Sequence, residues 1–166
     1  MDGSAKNLAD QVQRVARMPE SIIRSVMIGG APENSLGQSR GNIGITLYSE
    51  EHLSDITRFC CTGLTPLSFD KTFNLGELFV TPSTYKNLAV TLNKSGDHPI
   101  MLGPTYIHSW STFEAYNPFF SSLSSSLRKI DTSNLVIGTD NETAPRQAIR
   151  FKIVMKSATR YLDRAA

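Results

Sequence analysis

The chain has 166 residues, of which 40% are hydrophobic, 19% charged and 8% aromatic, and this is enough to enclose one sizeable core. The composition excludes collagen-like, coiled-coil and wholly disordered proteins. The formal net charge of +2 is too small to identify a nucleic-acid or membrane partner by itself, although the basic excess lies in residues 71–166, which hold eleven basic and seven acidic side chains.

Hydropathy and cysteine usage narrow the class of protein further. The longest apolar stretches have about five residues, far below the roughly 20 that cross a bilayer, and the N-terminus lacks the pattern of a secretory signal. We therefore expect a soluble, intracellular protein with no membrane partner. Cys60 and Cys61 are sequence neighbours, so they cannot staple distant segments, and we expect one in a core and the other at the surface.

The first 42 residues are predicted to be a helical extension followed by a Gly-rich linker. Apolar residues at helical spacing predict a first helix over Ala5–Arg17, namely Leu8, Val12, Val15 and Ala16. Pro19 is expected to begin a second short helical piece that carries Ile22, Ile23 and Val26. Residues 29–44 contain five Gly, which is typical of a linker. We place a domain boundary near residue 42 and assign residues 43–166 to the core domain.

The core domain begins with a strand, a helix and a series of short strands. Ile43–Tyr48 is predicted as a strand, and Ser49 as the N-cap of a helix with Leu53, Ile56 and Cys60 on one face. Further short β-prone runs are separated by Gly, Pro, Asn and Asp: Leu67–Phe69, Leu78–Val80, Leu88–Leu92 and Ile100–Leu102. Together they predict a meander of strands.

Helices and strands then alternate to the end of the chain. A helical stripe is expected to pack on the sheet, with Pro118 breaking or kinking it early: Phe113, Tyr116, Phe119, Phe120, Leu123 and Leu127. Leu135–Ile137 predicts a strand ending at Gly138-Thr139-Asp140, and Pro145 lies in the first turn of the next helix. Ala158–Leu162 is interpreted as a last strand, although its spacing also fits a continued helix. This order predicts an α/β fold with a sheet that is antiparallel on one side and parallel on the other.

Two carboxylates follow apolar strands, at Asp70 and Asp140. If these strands are parallel neighbours, both side chains emerge at the sheet edge where ligand crevices of α/β folds form, and they are suited to hold Mg²⁺ or Mn²⁺. The simpler alternative is that Asp70 starts a turn and Asp140 caps the following helix. The spacing alone does not decide between these readings.

A basic cluster near the C-terminus also has two interpretations, since it suits either a solvated helix face or contacts with DNA phosphates. Its members lie mostly four residues apart: Arg146, Arg150, Lys156, Arg160 and Arg164. The three histidines, His52, His98 and His108, do not show a zinc-binding spacing and are interpreted as surface or packing residues.

Five ordered blocks resemble the catalytic core of Mutator-like element (MULE) transposases: SFDKTFNLGELFVT at Ser68–Thr81, YKNLAVTL at Tyr85–Leu92, HPIMLGPTYIH at His98–His108, FEAYNPFFSSL at Phe113–Leu123 and VIGTDNE at Val136–Glu142. The helix at Glu50–Cys60 resembles the segment that precedes this core. The resemblance implies an RNase H-like fold, in which three antiparallel strands are followed by alternating helices and parallel strands. It also implies that Asp70 and Asp140 are the first and second metal-binding carboxylates of a DNA-cleaving and strand-transferring enzyme.

The sequence departs from the family pattern at its C-terminal end. The family carries a third acidic residue on a helix beyond the fifth strand, which this sequence lacks, and Asp163 stands where a Cys would be expected. We therefore expect weak binding of Mg²⁺ or Mn²⁺ and little or no DNA cleavage. By resemblance the partner is DNA at transposon ends, the location is the nucleus or otherwise the cytoplasm, and a homo-oligomer is possible. The alternative function is a non-catalytic module that binds DNA or protein.

Overall fold

Eight strands and three α-helices make up the described part of a computed structural model, which comprises residues 14, 21–29, 42–71, 73–139, 143–152 and 160–163. A π-helical turn, Ile56–Cys60, continues the first helix. In chain order the elements are β1 (Ile23–Gly29), β2 (Asn42–Leu47), α1 (Glu50–Asp55), β3 (Leu67–Phe69), β4 (Phe73–Leu75), β5 (Leu78–Lys86), β6 (Ile100–His108), α2 (Phe113–Ser126), β7 (Val136–Thr139), α3 (Thr143–Lys152) and β8 (Arg160–Asp163).

The strands form one mixed sheet in the order β1-β2-β6-β5-β3-β7-β8, and β4 pairs with β5 as a hairpin. Every pair from β1 to β3 is antiparallel, whereas β7 runs parallel to both β3 and β8. The predicted α/β class, with antiparallel and parallel sides of one sheet, is thereby confirmed. Among the described helices, none is long and apolar enough to span a lipid bilayer.

The hydrophobic core lies between the sheet and helices α1, α2 and α3. The predicted stripe of α2 is confirmed, because Tyr116, Phe120, Leu123 and Leu127 are buried and Phe113 is half-buried. The helix runs through Pro118 without ending there. The ring of Phe69 in β3 packs edge to face on the rings of Phe119 and Phe120, with centroid distances of 5.9 and 5.1 Å. Helix α2 therefore packs on the strand that Asp70 follows.

The expectation that only one cysteine is buried is wrong, since both Cys60 and Cys61 lie in the core. The cause is the π-helical turn after α1, in which the N–H of Cys61 donates to the carbonyl of Ile56 at 2.9 Å. One extra residue in this turn shifts the side chains that follow relative to an α-helix. Burial raises the pKa of each thiol to about 11.

The predicted second helical piece, with Ile22, Ile23 and Val26, is wrong because this segment forms strand β1 and pairs antiparallel with β2. Its β-branched residues suit a strand, and the unpaired edge of β2 supplies the hydrogen-bonding partner. Arg24 fixes the start of the strand by donating from Nε to the carbonyl of Tyr48 at 2.7 Å and pairing with Glu50 at 3.0 Å.

The predicted strand Leu88–Leu92 is also wrong. Strand β5 ends before Asn87, whose Oδ1 accepts from the N–H of Ala89 at 2.9 Å and so turns the chain. Val90 and Leu92 then lie in an exposed loop. The predicted strand at the end of the chain is confirmed as β8, and the start of the helix at Pro145 as α3. The first helix, Ala5–Arg17, lies outside the described residues except for Arg14, which is helical.

Candidate functional site at the carboxyl edge of the sheet

Strand β3 places Asp70 at the carboxyl end of a buried segment. Leu67 and Phe69 point into the core, while Ser68 alternates with them and lies on the opposite face of the sheet. The N–H of Asp70 donates to the carbonyl of Pro82 at 3.2 Å, which continues the ladder with β5 beyond the end of β3. The Asp70 side chain is exposed, as a position for binding a ligand requires.

The carboxyl ends of three parallel strands meet at the same edge. Phe69 of β3 pairs with Thr139 of β7, and Thr139 in turn pairs with Asp163 of β8. We call this the carboxyl edge; it consists of Asp70, Thr139 and Asp163. Strands β3 and β7, which precede Asp70 and Asp140, are parallel neighbours, as the metal-site interpretation of these carboxylates requires. Asp140 follows Thr139 in the sequence and lies outside the described residues, so the separation of the two carboxylates stays a prediction.

A concave groove of about 470 Å³ begins at Asp70 and lies on the face of the sheet opposite the three described helices. This volume is within the range of ordinary ligand sites. Polar residues from the central strands line the groove, namely Ser68, Thr84, Lys86 and Thr139. Apolar residues close its far end, namely Leu64, Leu88 and Ile100. Gly138 keeps its floor low, because a Cβ there would come within 3.2 Å of the Ser68 Oγ atom.

Lys86 lines the groove, and Lys71 lies beside Asp70 in the sequence. Lys71 follows Asp70 and donates from Nζ to the Ser111 Oγ atom at 3.3 Å, with the Phe79 ring centroid 4.9 Å from Nζ. Lys86 is exposed at the other end of the groove, on the last residue of β5. The groove therefore presents a carboxylate at one end and a cation at the other, in a mixed polar and apolar setting.

The described residues do not form a cluster of three or more His, Cys, Asp or Glu that would hold a metal ion. Within them, Asp70 supplies oxygen ligands of the type that Mg²⁺ and Mn²⁺ prefer. The register brings the backbone of Asp163 to the same edge, two strands away. Binding of a cation by Asp70 together with Asp140 stays a prediction, because Asp140 lies outside the described residues.

The predicted basic residues lie on more than one element. Helix α3 carries Arg146 and Arg150, and it starts shortly after the carboxyl end of β7. Arg160 begins β8 and pairs with Val136, which is the end of the strand pair away from the carboxyl edge. Lys156 and Arg164 lie outside the described residues. Arg146 and Arg160 therefore do not lie on one helix face, although their spacing along the sequence is helical.

His108 is fully buried in a polar network that the sequence interpretation did not single out. Its Nδ1 atom lies 2.8 Å from the Trp110 carbonyl, so Nδ1 donates, and Nε2 then accepts from the Thr81 hydroxyl at 2.9 Å. The Tyr116 hydroxyl donates to the Thr81 Oγ1 atom at 3.1 Å. Burial lowers the pKa of His108 to about 4. The alternation of His108 with Tyr106 along β6 is the sequence signal that could have identified this position.

The remaining histidines have local roles. His52 accepts from the N–H of Ser49 at Nδ1 and donates its own N–H to the Ser49 hydroxyl, which forms a capping box at the start of α1. His98 lies 2.8 Å from the Val90 carbonyl in the loop between β5 and β6. Both are distant in sequence from the carboxyl edge.

Comparison with protein-family models, with curated proteins and with solved structures finds no match to this chain.

Proposed function

We propose that this chain is an RNase H-like DNA-processing core of the MULE transposase type, with weak or absent cleavage activity. The observation that carries the proposal is the order β6-β5-β3-β7-β8, in which three antiparallel strands adjoin two parallel ones. Helices α2 and α3 make the connections that the resemblance requires, before and after β7. Asp70 then follows the first core strand and Asp140 the fourth.

The proposed chemistry is phosphoryl transfer at DNA. When bound, divalent cations would activate the attacking water or hydroxyl and stabilise the leaving oxygen. Asp70 and Asp140 would hold such cations, because their carboxylates come after paired parallel strands. Two carboxylates leave Mg²⁺ mostly hydrated and poorly positioned, and orientation supplies much of the rate in such reactions. The expected activity is therefore low.

DNA is the proposed partner because basic side chains follow the carboxyl ends of β3 and β7 in the sequence. Arg146 is half-buried on the first part of α3, and Arg150 follows four residues later on the same helix. Lys71 lies next to Asp70 in sequence. Phosphate contacts from such side chains would make binding sensitive to salt but not to sequence. Location in the nucleus and assembly into a homo-oligomer remain parts of the same proposal.

A second candidate function is a non-catalytic DNA-binding or protein-interaction module. It is favoured by Arg146 and Arg150 on α3, because phosphate contacts from arginines need no metal ion. The two functions differ in whether they require the carboxylates of Asp70 and Asp140. Catalysis requires Asp70 and Asp140, whereas DNA binding by arginines does not.

The test combines plasmid nicking, Mn²⁺ binding and DNA binding on the purified 166-residue protein. We compare wild type with Asp70→Ala, Asp140→Ala and the control Asp97→Ala, which removes an exposed carboxylate from the β5–β6 loop. The proposal expects weak Mn²⁺ binding that both test variants reduce and the control preserves. Metal-dependent nicking lost only in the two test variants would favour the enzyme. Equal Mn²⁺ binding by all four proteins would refute the metal site.

DNA binding is measured in parallel at two salt concentrations. Arg146→Ala and Arg150→Ala are compared with Arg128→Ala, an exposed residue on the turn after α2. The proposal expects binding to weaken at the higher salt concentration and in the two α3 variants more than in the control. Binding that does not respond to salt would refute phosphate contacts. Absence of both DNA and metal binding would refute the proposed function as a whole.

A further inference from the structure

The first half of strand β6 has a neighbouring strand on one side only, within the described part of the chain. Strand β5 pairs with it from Ile100 onward. Strand β2 covers only the second half of β6, because its last residue, Leu47, lies opposite Thr105 and the chain then enters helix α1 at Glu50. Residues 100–102 therefore lie at an edge of the sheet, which we call the open edge.

The ladder between β5 and β6 gives the direction of the backbone groups at the open edge. The N–H of Asn87 donates to the Pro99 carbonyl at 3.0 Å, so the backbone of Pro99 faces β5. Hydrogen-bonded and non-hydrogen-bonded pairs alternate along an antiparallel ladder. Met101 therefore also turns its N–H and C=O to β5, whereas Ile100 and Leu102 turn theirs to the open edge. Among the described residues, no partner strand reaches these outward groups.

A bulge in β6 keeps β2 away from the open edge. The register shifts between Leu102 and Thr105, where β6 advances by one residue more than β5. Such a bulge bends its strand and interrupts the ladder. Pro104 lies within it and has no N–H to donate to β2. The open edge is therefore a consequence of the way β6 is built.

The side chains at the open edge are apolar and strongly exposed. Ile100 is 71% exposed, Met101 40% and Leu102 57%. Sheet proteins normally protect an edge with charged side chains, with a proline in the strand or with a covering segment. Residues 100–102 carry neither a charge nor a proline. Outward backbone groups together with exposed apolar side chains are typical of a surface that accepts an added strand.

A second copy of the chain matches the open edge in its hydrogen bonding. In an antiparallel pairing about a two-fold axis at Met101, Ile100 lies opposite Leu102 of the second copy, and Leu102 lies opposite its Ile100. The backbone groups of both residues face outward, so each of these symmetric pairs exchanges two N–H···O=C hydrogen bonds. The aliphatic side chains of Ile100 and Leu102 then meet on one face of the extended sheet.

The charges near the open edge also suit a second copy. Residues 100–102 are uncharged, so the pairing brings no like charges directly opposite each other. The nearest charge on the ladder is Lys86, which pairs with Ile100 from the inner side. Three strand spacings would separate the Lys86 backbones of the two copies by at least about 14 Å, which exceeds the screening length at physiological salt.

The small size of the edge sets the strength of the contact. Three residues of each copy bury much less than the roughly 1,200 Å² that stable interfaces need. We therefore expect a weak dimer whose population rises with protein concentration.

We infer that two copies of the chain associate through the open edge, with residues 100–102 paired antiparallel about a two-fold axis at Met101. The sheet of each copy then continues into the sheet of the other. This pairing gives the homo-oligomer of the proposed function a specific surface. It depends on strand geometry and not on DNA or metal binding, so either proposal can fail without the other.

Disulfide trapping with Met101→Cys in the full chain tests the register. The two-fold axis places residue 101 of both copies in a non-hydrogen-bonded pair with Cα atoms about 4.5 Å apart, which a disulfide can bridge. The control is Val90→Cys, which is 49% exposed in the loop between β5 and β6. Cys60 and Cys61 stay in place, as both are buried thiols. After mild oxidation, Met101→Cys is expected to give a several-fold larger fraction of covalent dimer than Val90→Cys. Equal fractions, or no covalent dimer from Met101→Cys, would overturn the inference.

Sedimentation equilibrium measures the same association without a cross-link. Wild type is expected to shift from monomer towards dimer between low-micromolar and near-millimolar concentration. Leu102→Lys is expected to stay monomeric, because the pairing would bury its charge, and the control Leu92→Lys, at another exposed position, is expected to match wild type. A wild type that stays monomeric throughout, or a Leu102→Lys protein that dimerises equally well, would refute pairing through the open edge.

Discussion

The buried imidazole of His108 predicts a specific loss of stability in mild acid. The ring is enclosed between Tyr106, stacked at 4.8 Å, and Tyr116, also at 4.8 Å. Its Nε2 atom accepts a hydrogen bond from Thr81, and so the folded protein holds the ring neutral. Protonation would place a charge in this enclosure and turn an acceptor into a donor, which the network opposes.

The magnitude follows from the difference between folded and unfolded pKa values. Burial lowers the folded pKa of His108 from 6.5 to about 4. The contribution to stability is therefore fully present above the unfolded pKa and is lost as the pH falls towards 4, because only the unfolded chain takes up the proton in that range. Between pH 7 and pH 5 the expected loss is roughly 2 kcal/mol.

The assay is urea unfolding of wild type and His108→Gln at pH 7, 6 and 5. The Gln variant does not titrate there, so the difference in free energy of unfolding between the two proteins should shrink by roughly 2 kcal/mol from pH 7 to pH 5. An NMR titration of the His108 ring in the folded wild type gives an independent reading should the variant fold poorly. A difference that does not change with pH, or a ring that titrates near 6.5 in the folded protein, would refute the reasoning.

Three further predictions rest on the packing and on the first helix. Phe119→Ala should cost about 3–5 kcal/mol of unfolding free energy, measured by urea unfolding, because the ring is fully buried between β3 and β6, and a conservative Phe119→Leu should cost much less. Asp55→Ala should destabilise the protein by about 1–3 kcal/mol, since the carboxylate accepts from the buried Tyr85 hydroxyl and the Asn87 amide, and a loss within error would contradict that role. Cys60 and Cys61 should resist a thiol reagent at pH 7 in the native protein and both react in urea, because burial raises their pKa to about 11; rapid native labelling would show that this part of the core is open.

Helix α2 and strands β3 and β7 were predictable because their patterns are local. The stripe from Phe113 to Leu127 has helical spacing, and it survives Pro118 because burial of its aromatic rings outweighs one missing hydrogen bond. Leu67–Phe69 and Leu135–Ile137 are short apolar runs closed by polar residues, and they became central strands. The same patterns located the carboxyl ends of β3 and β7, which Asp70 and Asp140 follow in the sequence.

The errors arose where a partner distant in sequence decides the conformation. Ile22, Ile23 and Val26 also fit a helix, but β2 offers an unpaired edge that the local sequence cannot reveal. Leu88–Leu92 looked like a strand, and the side chain of Asn87 turned the chain instead by bonding to Ala89 and Asp55. The cysteines depended on one extra residue in a helical turn, which no periodicity indicates.

The α/β class, the α2 stripe and the position of Asp70 after an apolar run could all be predicted from local patterns, because each depends on the spacing of side chains along one element. The choice of neighbouring strands, in contrast, is made by tertiary packing. It paired Phe69 with Thr139 and Thr139 with Asp163, and it buried His108 in a network drawn from β5, β6 and α2. These contacts are set by register and by packing between elements far apart in the chain, and a one-residue slip in register would have moved each of these side chains to the other face.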